Sequence, residues 1–294
     1  LAEPPGTGAS TGRKPGGALL GVLPFFAYTT IFLLVPTLVV VVGAFLDGQG
    51  RPTLGNLSAL TQPQIVSGFV RSAVLSAVTA VLGAIFGALL AYAASTAREG
   101  GPLRRVINSM CGVLAQFGGV TLAFAFVATV GFQGFLTLWL RKAGIELAGS
   151  TWLFEPGKGL VLVYTYFQIP LMLIVFLPAV EGLRPQWREA AESLGGSTWS
   201  YWRYVAGPIL APSFLGAMLL LFTNAFSAYA TAAALISQGS PLIPLQIGST
   251  LSSEVILGQE NIGKAMALGM VVIVVVVMSL YAVLERRTGR WLGR

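Results

Sequence analysis

Arg184-Pro-Gln-Trp-Arg-Glu-Ala-Ala-Glu-Ser-Leu-Gly-Gly-Ser-Thr-Trp-Ser-Tyr-Trp-Arg-Tyr-Val-Ala-Gly-Pro208 is a polar island in an otherwise greasy chain. Its local signals spell a helix, a tight turn and a second short helix. Pro185 suits a first helical position, where its missing N–H would be an orphan donor anyway. Trp187, Ala190, Ala191 and Leu194 then share one face at i, i+3, i+4 and i+7, while Arg188, Glu189 and Glu192 lie off it. Gly195-Gly196 supplies the left-handed residue that ends a helix at little cost. Ser197 or Thr198 caps the next helix, and Pro208 marks where that element stops or the following one starts. Two readings stand at this level. The apolar stripe packs back on its own bundle as a solvated connector, or the small alanines let another protein's backbone approach.

The surrounding composition says what the island sits in. Of 294 residues, 55% are hydrophobic and only 10% charged, against about 25% charged in soluble domains. The chain is therefore read as an all-α integral membrane protein. Its net charge of +7 does not call for nucleic acid, because basic residues of membrane proteins gather at the cytoplasmic boundary. A single cysteine, Cys111, excludes an internal disulfide and any multi-cysteine metal site; in its apolar run it reads as a small buried hydrophobe. The absence of histidine removes the usual general base and the commonest metal ligand together.

Six charge-free runs are long enough to cross a bilayer: 18–46, 72–97, 106–130, 159–180, 209–236 and 265–284. The division that follows is a disordered cytoplasmic tail over 1–17, a first transmembrane helix and external loop over 18–64, and a core of five further spans over 65–290. The tail is rich in Gly, Pro, Ser and Thr. Arg13 and Lys14 before an apolar run imitate a signal peptide, but the run is too long and no small-residue cleavage site follows. Pro24 and Pro36 are expected to bend the first span, 132–143 reads as a short interfacial helix, and 237–264 as a loop. With the N-terminus inside, twelve of the eighteen basic residues fall on the inner segments and six on the outer ones. That imbalance favours both termini, and the 184–208 island, in the cytoplasm.

An engine of its own is hard to find in this chain. Gly258-Gln-Glu-Asn-Ile-Gly-Lys264 imitates a phosphate-binding loop, but Ala265 replaces the hydroxyl that would hold Mg²⁺, and the count of basic residues puts the segment outside. The six runs contain no Asp, Glu, Lys or Arg, the groups with which ion-coupled pumps bind their ion. No internal repeat of the kind common in secondary transporters is evident, and no nucleophile–base pair or paired intramembrane carboxylate suggests an enzyme. Ser76, Ala80, Ala84 and Ala88 step by four beside the Gly83/Gly87 pair, a pattern for close helix packing within the subunit. Thr223, Asn224, Ser227, Tyr229 and Thr231 crowd the outer half of the fifth run, and Gln168 lies two residues before Pro170 in the fourth. A buried amide must find a partner or a wet cavity, so Gln168, Asn224, Ser227, Tyr229 and Thr231 divide between structural hydrogen bonds and a solute pathway. Gln116 beside Gly118-Gly119 is a lesser candidate.

Glu189-Ala190-Ala191, three residues, Gly195, nine residues, Val205, one residue, then Gly207-Pro208 resembles the EAA loop of permease subunits in ATP-binding-cassette importers. The family pattern has isoleucine where Val205 stands and leucine where Gly207 stands. The resemblance covers roughly 65–290, with the loop as its specific part; the run 224–231 followed by 263–269 is most similar in flavour to spermidine/putrescine-type permeases. It implies six transmembrane helices in the type I importer fold, in a prokaryotic inner membrane. It implies a coupling role for Trp187, Glu189, Ala190, Ala191, Leu194, Gly195 and Pro208 against a cytoplasmic ATPase dimer. It further implies a second permease subunit and an extracytoplasmic solute-binding protein, with no cofactor of this chain's own because ATP and Mg²⁺ are bound by the ATPase. It implies a polyamine or a similar small organic or ionic solute, with ferric iron, phosphonate, sulfate and sugar, the solutes of similar permeases, as alternatives. The alternative of another class is an ion-coupled carrier or channel needing no ATPase.

Overall fold

The computed structural model describes residues 15–98, 101–144, 153, 158–236, 242–252 and 260–289. Every regular element among them is helical, as apolar spans require when the bilayer offers no partner for backbone N–H and C=O groups. The tail before Pro15 lies outside the described residues, whereas 15–17, expected to be disordered with it, begin α1 (Pro15–Thr29).

The first crossing is α1 and α2 (Val35–Ala44), joined by a widened turn over Thr30–Leu34 in which the Val35 N–H bonds the Thr30 carbonyl five residues back. Pro36 follows directly. Its ring cannot sit over a normally placed carbonyl four residues earlier and it brings no N–H, and the looser turn answers both. Pro24, by contrast, sits inside α1 without interrupting it. This crossing stands apart from the bundle, touching it through α2 against α14 (Glu260–Gly289).

The core is built on α4 (Pro63–Thr96) and α8 (Gly159–Glu181), which share the largest interface, with α11 (Gly207–Phe226) lying across both. Ser76, Ala80 and Ala84 are essentially inaccessible, and the two glycines explain the approach. A methyl group at Gly83 would fall 2.6 Å from the Gln168 Cβ, and one at Gly87 would fall 2.7 Å from the Ile169 carbonyl oxygen. The small-residue stripe thus serves packing inside the subunit. The buried hydroxyls of Ser76 and Thr79 bond the carbonyls of Ser72 and Leu75 on their own helix, so they cost little in an apolar setting.

Four expectations need correction. The second spanning helix, α4, starts at Pro63, nine residues ahead of the charge-free run, and carries Arg71 on an exposed face; a long side chain near a helix end is tolerated by reaching to the interface. The third run is two helices, α5 (Pro102–Gln116) and α6 (Gly119–Val130), interrupted where Gly119 takes φ +66°. The fifth is likewise two, α11 and α12 (Ala230–Leu235), separated at 227–229. Within 237–264, α13 (Ile243–Ser252) replaces loop: Pro244 falls in its first turn, where proline is at home, and the Ile243 N–H donates to the Ser72 hydroxyl at 3.0 Å. The interfacial helix forms as α7 (Phe135–Lys142). Among the described residues, six stretches of helix are long and apolar enough to cross a membrane, with 119–142 rather than 106–130 meeting that test as the third.

Helix ends sort onto two sides. The Asn56 amide on the short α3 (Gly55–Ala59) donates to the Ala44 and Leu46 carbonyls, and Asn261 donates to the Asp47 carbonyl; these tie the end of α2 to the start of α14. Opposite them, Arg104 at the start of α5 pairs with Glu181 at the end of α8.

Candidate functional site

The island at 184–208 folds as its local chemistry dictates. α9 (Pro185–Ser193) ends in a paired C-terminal cap: the Gly196 N–H bonds the Ala191 carbonyl at 2.9 Å and the Gly195 N–H bonds the Glu192 carbonyl at 3.0 Å. This pairing needs a left-handed residue, and Gly195 has φ +78°. Ser197 then caps α10 (Thr198–Tyr201), its hydroxyl accepting from the Ser200 N–H. Pro208 neither stops α10 nor starts a separate helix. The chain runs on through a widened turn at Trp202–Ala206, where the Gly207 N–H bonds the Trp202 carbonyl, straight into α11. The arrangement before Pro36 is thus repeated before Pro208. One aromatic contact secures the junction to the bundle, the Tyr92 and Trp202 rings meeting edge to face at 5.2 Å.

The surface of this island is its most informative property. No residue of α9 is buried. Trp187 and Ala191 are half-covered, Glu189 and Ala190 are exposed, and Leu194 is 89% exposed. Trp199 on α10 adds another open aromatic at 71%. Arg188 and Glu192 pair at 2.9 Å along the polar face, and that hydrogen bond holds the guanidinium above its ordinary range. The stripe divides: Trp187 and Ala191 are partly covered, whereas Ala190 and Leu194 stand open.

The five pathway candidates separate. Gln168 is wholly buried, and neither its amide nitrogen nor its oxygen has a partner. Thr231 is buried too, its hydroxyl donating to the Gly119 carbonyl at 3.2 Å. Asn224, Ser227 and Tyr229 are exposed at the end of α11 and the break that follows; the Ser227 hydroxyl is spent on the Thr223 carbonyl, and the Tyr229 ring lies against Gly248 of α13. Gln116 is exposed beside the other break. Sequence reasoning missed that the two interruptions adjoin. Thr231 is bonded to Gly119, the Tyr164 hydroxyl donates to the Ala228 carbonyl at 2.8 Å, and α6 packs on α12. Gly118-Gly119 in a greasy run was the available signal. Unwound backbone at membrane depth is tolerated where protein or a wet cavity covers it.

The phosphate-loop look-alike dissolves. Gly258 and Gln259 lie outside the described residues, and from Glu260 onward the chain is already α14. Lys264 donates to Asn261 at 2.9 Å while its stem runs over Gly43.

No family model matches the chain. The thiamine transport permease ThiP of Escherichia coli (strain K12) is 28% identical over 132 residues, covering 44% of this chain and 24% of that protein. The sulfate transport permease CysT of the same strain is 28% identical over 174 residues, 58% of each. This chain thus spans less than two thirds of those two relatives. Among solved structures, the bacterial transporter that imports the acidic polysaccharide alginate superposes with a TM-score of 0.75 at 17% identity, covering 92% of this chain and 96% of that one. The MetNI methionine transporter in an inward-facing conformation gives 0.55 at 15% identity, covering 76% and 95%.

The chain is similar in sequence to permease subunits of transport systems and shares the fold of solved ATP-binding-cassette importers. With six candidate spans among the described residues it is a multi-pass membrane protein, and its fold is the one shared by those solved importers.

Proposed function

We propose that this permease forms one half of a solute pathway in a bacterial inner membrane and is moved by a separate cytoplasmic ATPase that grips α9. The observation carrying this reading is the pair of bare apolar side chains, Leu194 after α9 and Trp199 on α10, on the one segment whose spacing matches the family's coupling loop. Glu189, Ala190 and Ala191 then form the docking surface, and Gly195 the sharp exit. The widened turn at 202–206 passes motion into α11, and so to the breaks near Asn224, Ser227 and Tyr229 that face the solute. A second permease and an extracytoplasmic binding protein complete the assembly. Support for the binding protein comes from the alginate transporter, which was solved in complex with an oligosaccharide-bound periplasmic protein. The N-terminus and the 184–208 segment lie in the cytoplasm on the strength of the basic-residue imbalance.

For the solute we infer a small polar or ionic molecule handled by neutral side chains. The similar permeases are named for thiamine, sulfate and starch degradation products, while a polyamine rests on the 224–231 run alone. The reading is tested by uptake and ATPase co-purification. Glu189→Lys and Gly195→Asp are expected to abolish ATP-dependent uptake and to release the ATPase, with the permease still inserted. Wild-type uptake by either variant, or ion-gradient-driven uptake by the purified chain alone, would refute it.

A further inference from the structure

We propose that the end of the bundle beside α9 holds a phospholipid with an anionic headgroup. Two recesses carry the inference. The first is a trough of about 610 Å³ between α4, α8 and α11, walled almost wholly by carbon and open on the outer surface of the bundle. Ile85, Leu89 and Tyr92 mark its length along α4, about 10 Å by helical rise, and Ala211 forms part of its floor on α11. The second recess, about 500 Å³, contains Arg104, Arg184 and Arg188 with one carboxylate, Glu181. The two share Tyr92, Val180 and Trp202 as a common wall, so the apolar space runs directly into the basic one.

The charges identify the occupant. Arg104 is paired with Glu181, and Arg188 with Glu192. Arg184 lies 5.9 Å from the Trp187 ring centroid and makes no ion pair among the described residues. Two of the three guanidinium groups are thus matched by the carboxylates of Glu181 and Glu192, and Arg184 is the one offered to a further anion. Basic pockets between spanning helices take phospholipid headgroups, and guanidinium groups bind phosphate oxygens in paired hydrogen bonds. A spanning helix of another chain would fill the trough yet leave the arginines unmet. A free phosphate would meet the arginines yet leave the trough empty. An acyl chain joined to a phosphate satisfies both. Tyr92 and Trp202, stacked edge to face at the junction, sit where aromatic side chains mark the boundary between hydrocarbon and headgroups.

This inference needs the chain to span a membrane but does not need the ATPase-coupling reading. The test is native mass spectrometry of the purified full chain in detergent, titrated with phosphatidylglycerol, phosphatidylcholine or soluble glycerol phosphate. One phosphatidylglycerol is expected to be retained in preference to phosphatidylcholine, and glycerol phosphate is not expected to bind. Arg184→Gln should weaken phosphatidylglycerol about fivefold, the worth of one basic residue near an anionic lipid, and leave phosphatidylcholine unchanged. Ala211→Phe, which fills the trough, should weaken both lipids. Gel filtration and melting curves of each variant check that it is folded. Equal retention of the two lipids, phosphatidylglycerol binding untouched by both substitutions in folded protein, or a dimer of the chain closing over Leu89 and excluding lipid would overturn the proposal. Lipid retention in a variant that has lost the ATPase would separate this inference from the coupling reading.

Discussion

At Gly83 and Gly87 a hydrogen atom is all the side chain that α8 leaves room for. Gly87→Ala would push a methyl group into the Ile169 carbonyl and the Met172 side chain, and overpacking of this kind costs about 1–3 kcal/mol. A lower melting temperature in detergent is expected, and an unchanged one would mean that α4 and α8 part easily. Gln168, facing Gly83, is the opposite case. Its amide is buried with neither end paired, a state that costs about 1–3 kcal/mol. Gln168→Met keeps the shape and drops the amide, so melting should move upward. If the amide meets solute or water when the helices move, uptake falls in the same variant. A lowered melting temperature would show that the Gln168 amide has partners in the membrane.

Among the elements, the two widened turns share a sequence context, each closing one residue before a proline: Val35 before Pro36 and Gly207 before Pro208. Pro208→Ala removes the ring that disfavours ordinary helix there. If the turn relaxes to normal pitch, α9 and α10 swing by about 100° relative to α11, one residue's worth of helix. Uptake is then expected to fall without any loss of melting temperature, and wild-type uptake would show that the turn is held by something other than Pro208. The reach of sequence reasoning is plain at this scale. The α9–Gly195–α10 unit was legible because proline, glycine and serine act on their immediate neighbours. α13 was hidden because Pro241 and Pro244 suggest loop, whereas Pro244 in fact occupies a first turn. The breaks at 117–119 and 227–229 were hidden by hydropathy, which sums over an interruption.

For the molecule as a whole, the side on which α9 lies can be tested through its one thiol. Cys111 is buried, and burial pushes its thiol above the usual range, so the wild-type chain should be nearly silent to a membrane-impermeant maleimide. Against that background Ser193→Cys is expected to label only from the cytoplasmic side and Gln49→Cys only from outside; the reverse pattern would invert the proposed orientation. Hydropathy was enough for the number of apolar spans, because it is a sum over many residues. Which polar side chains face outward was not legible, since Gln168 and Asn224 differ only in what neighbouring helices cover. The pairing of the two breaks reaches further. Fastened to one another through Thr231 and Gly119, the far segments α6 and α12 are two leaves bound along a single crease, with the unbroken α8 as its spine. Bending there would turn both leaves together.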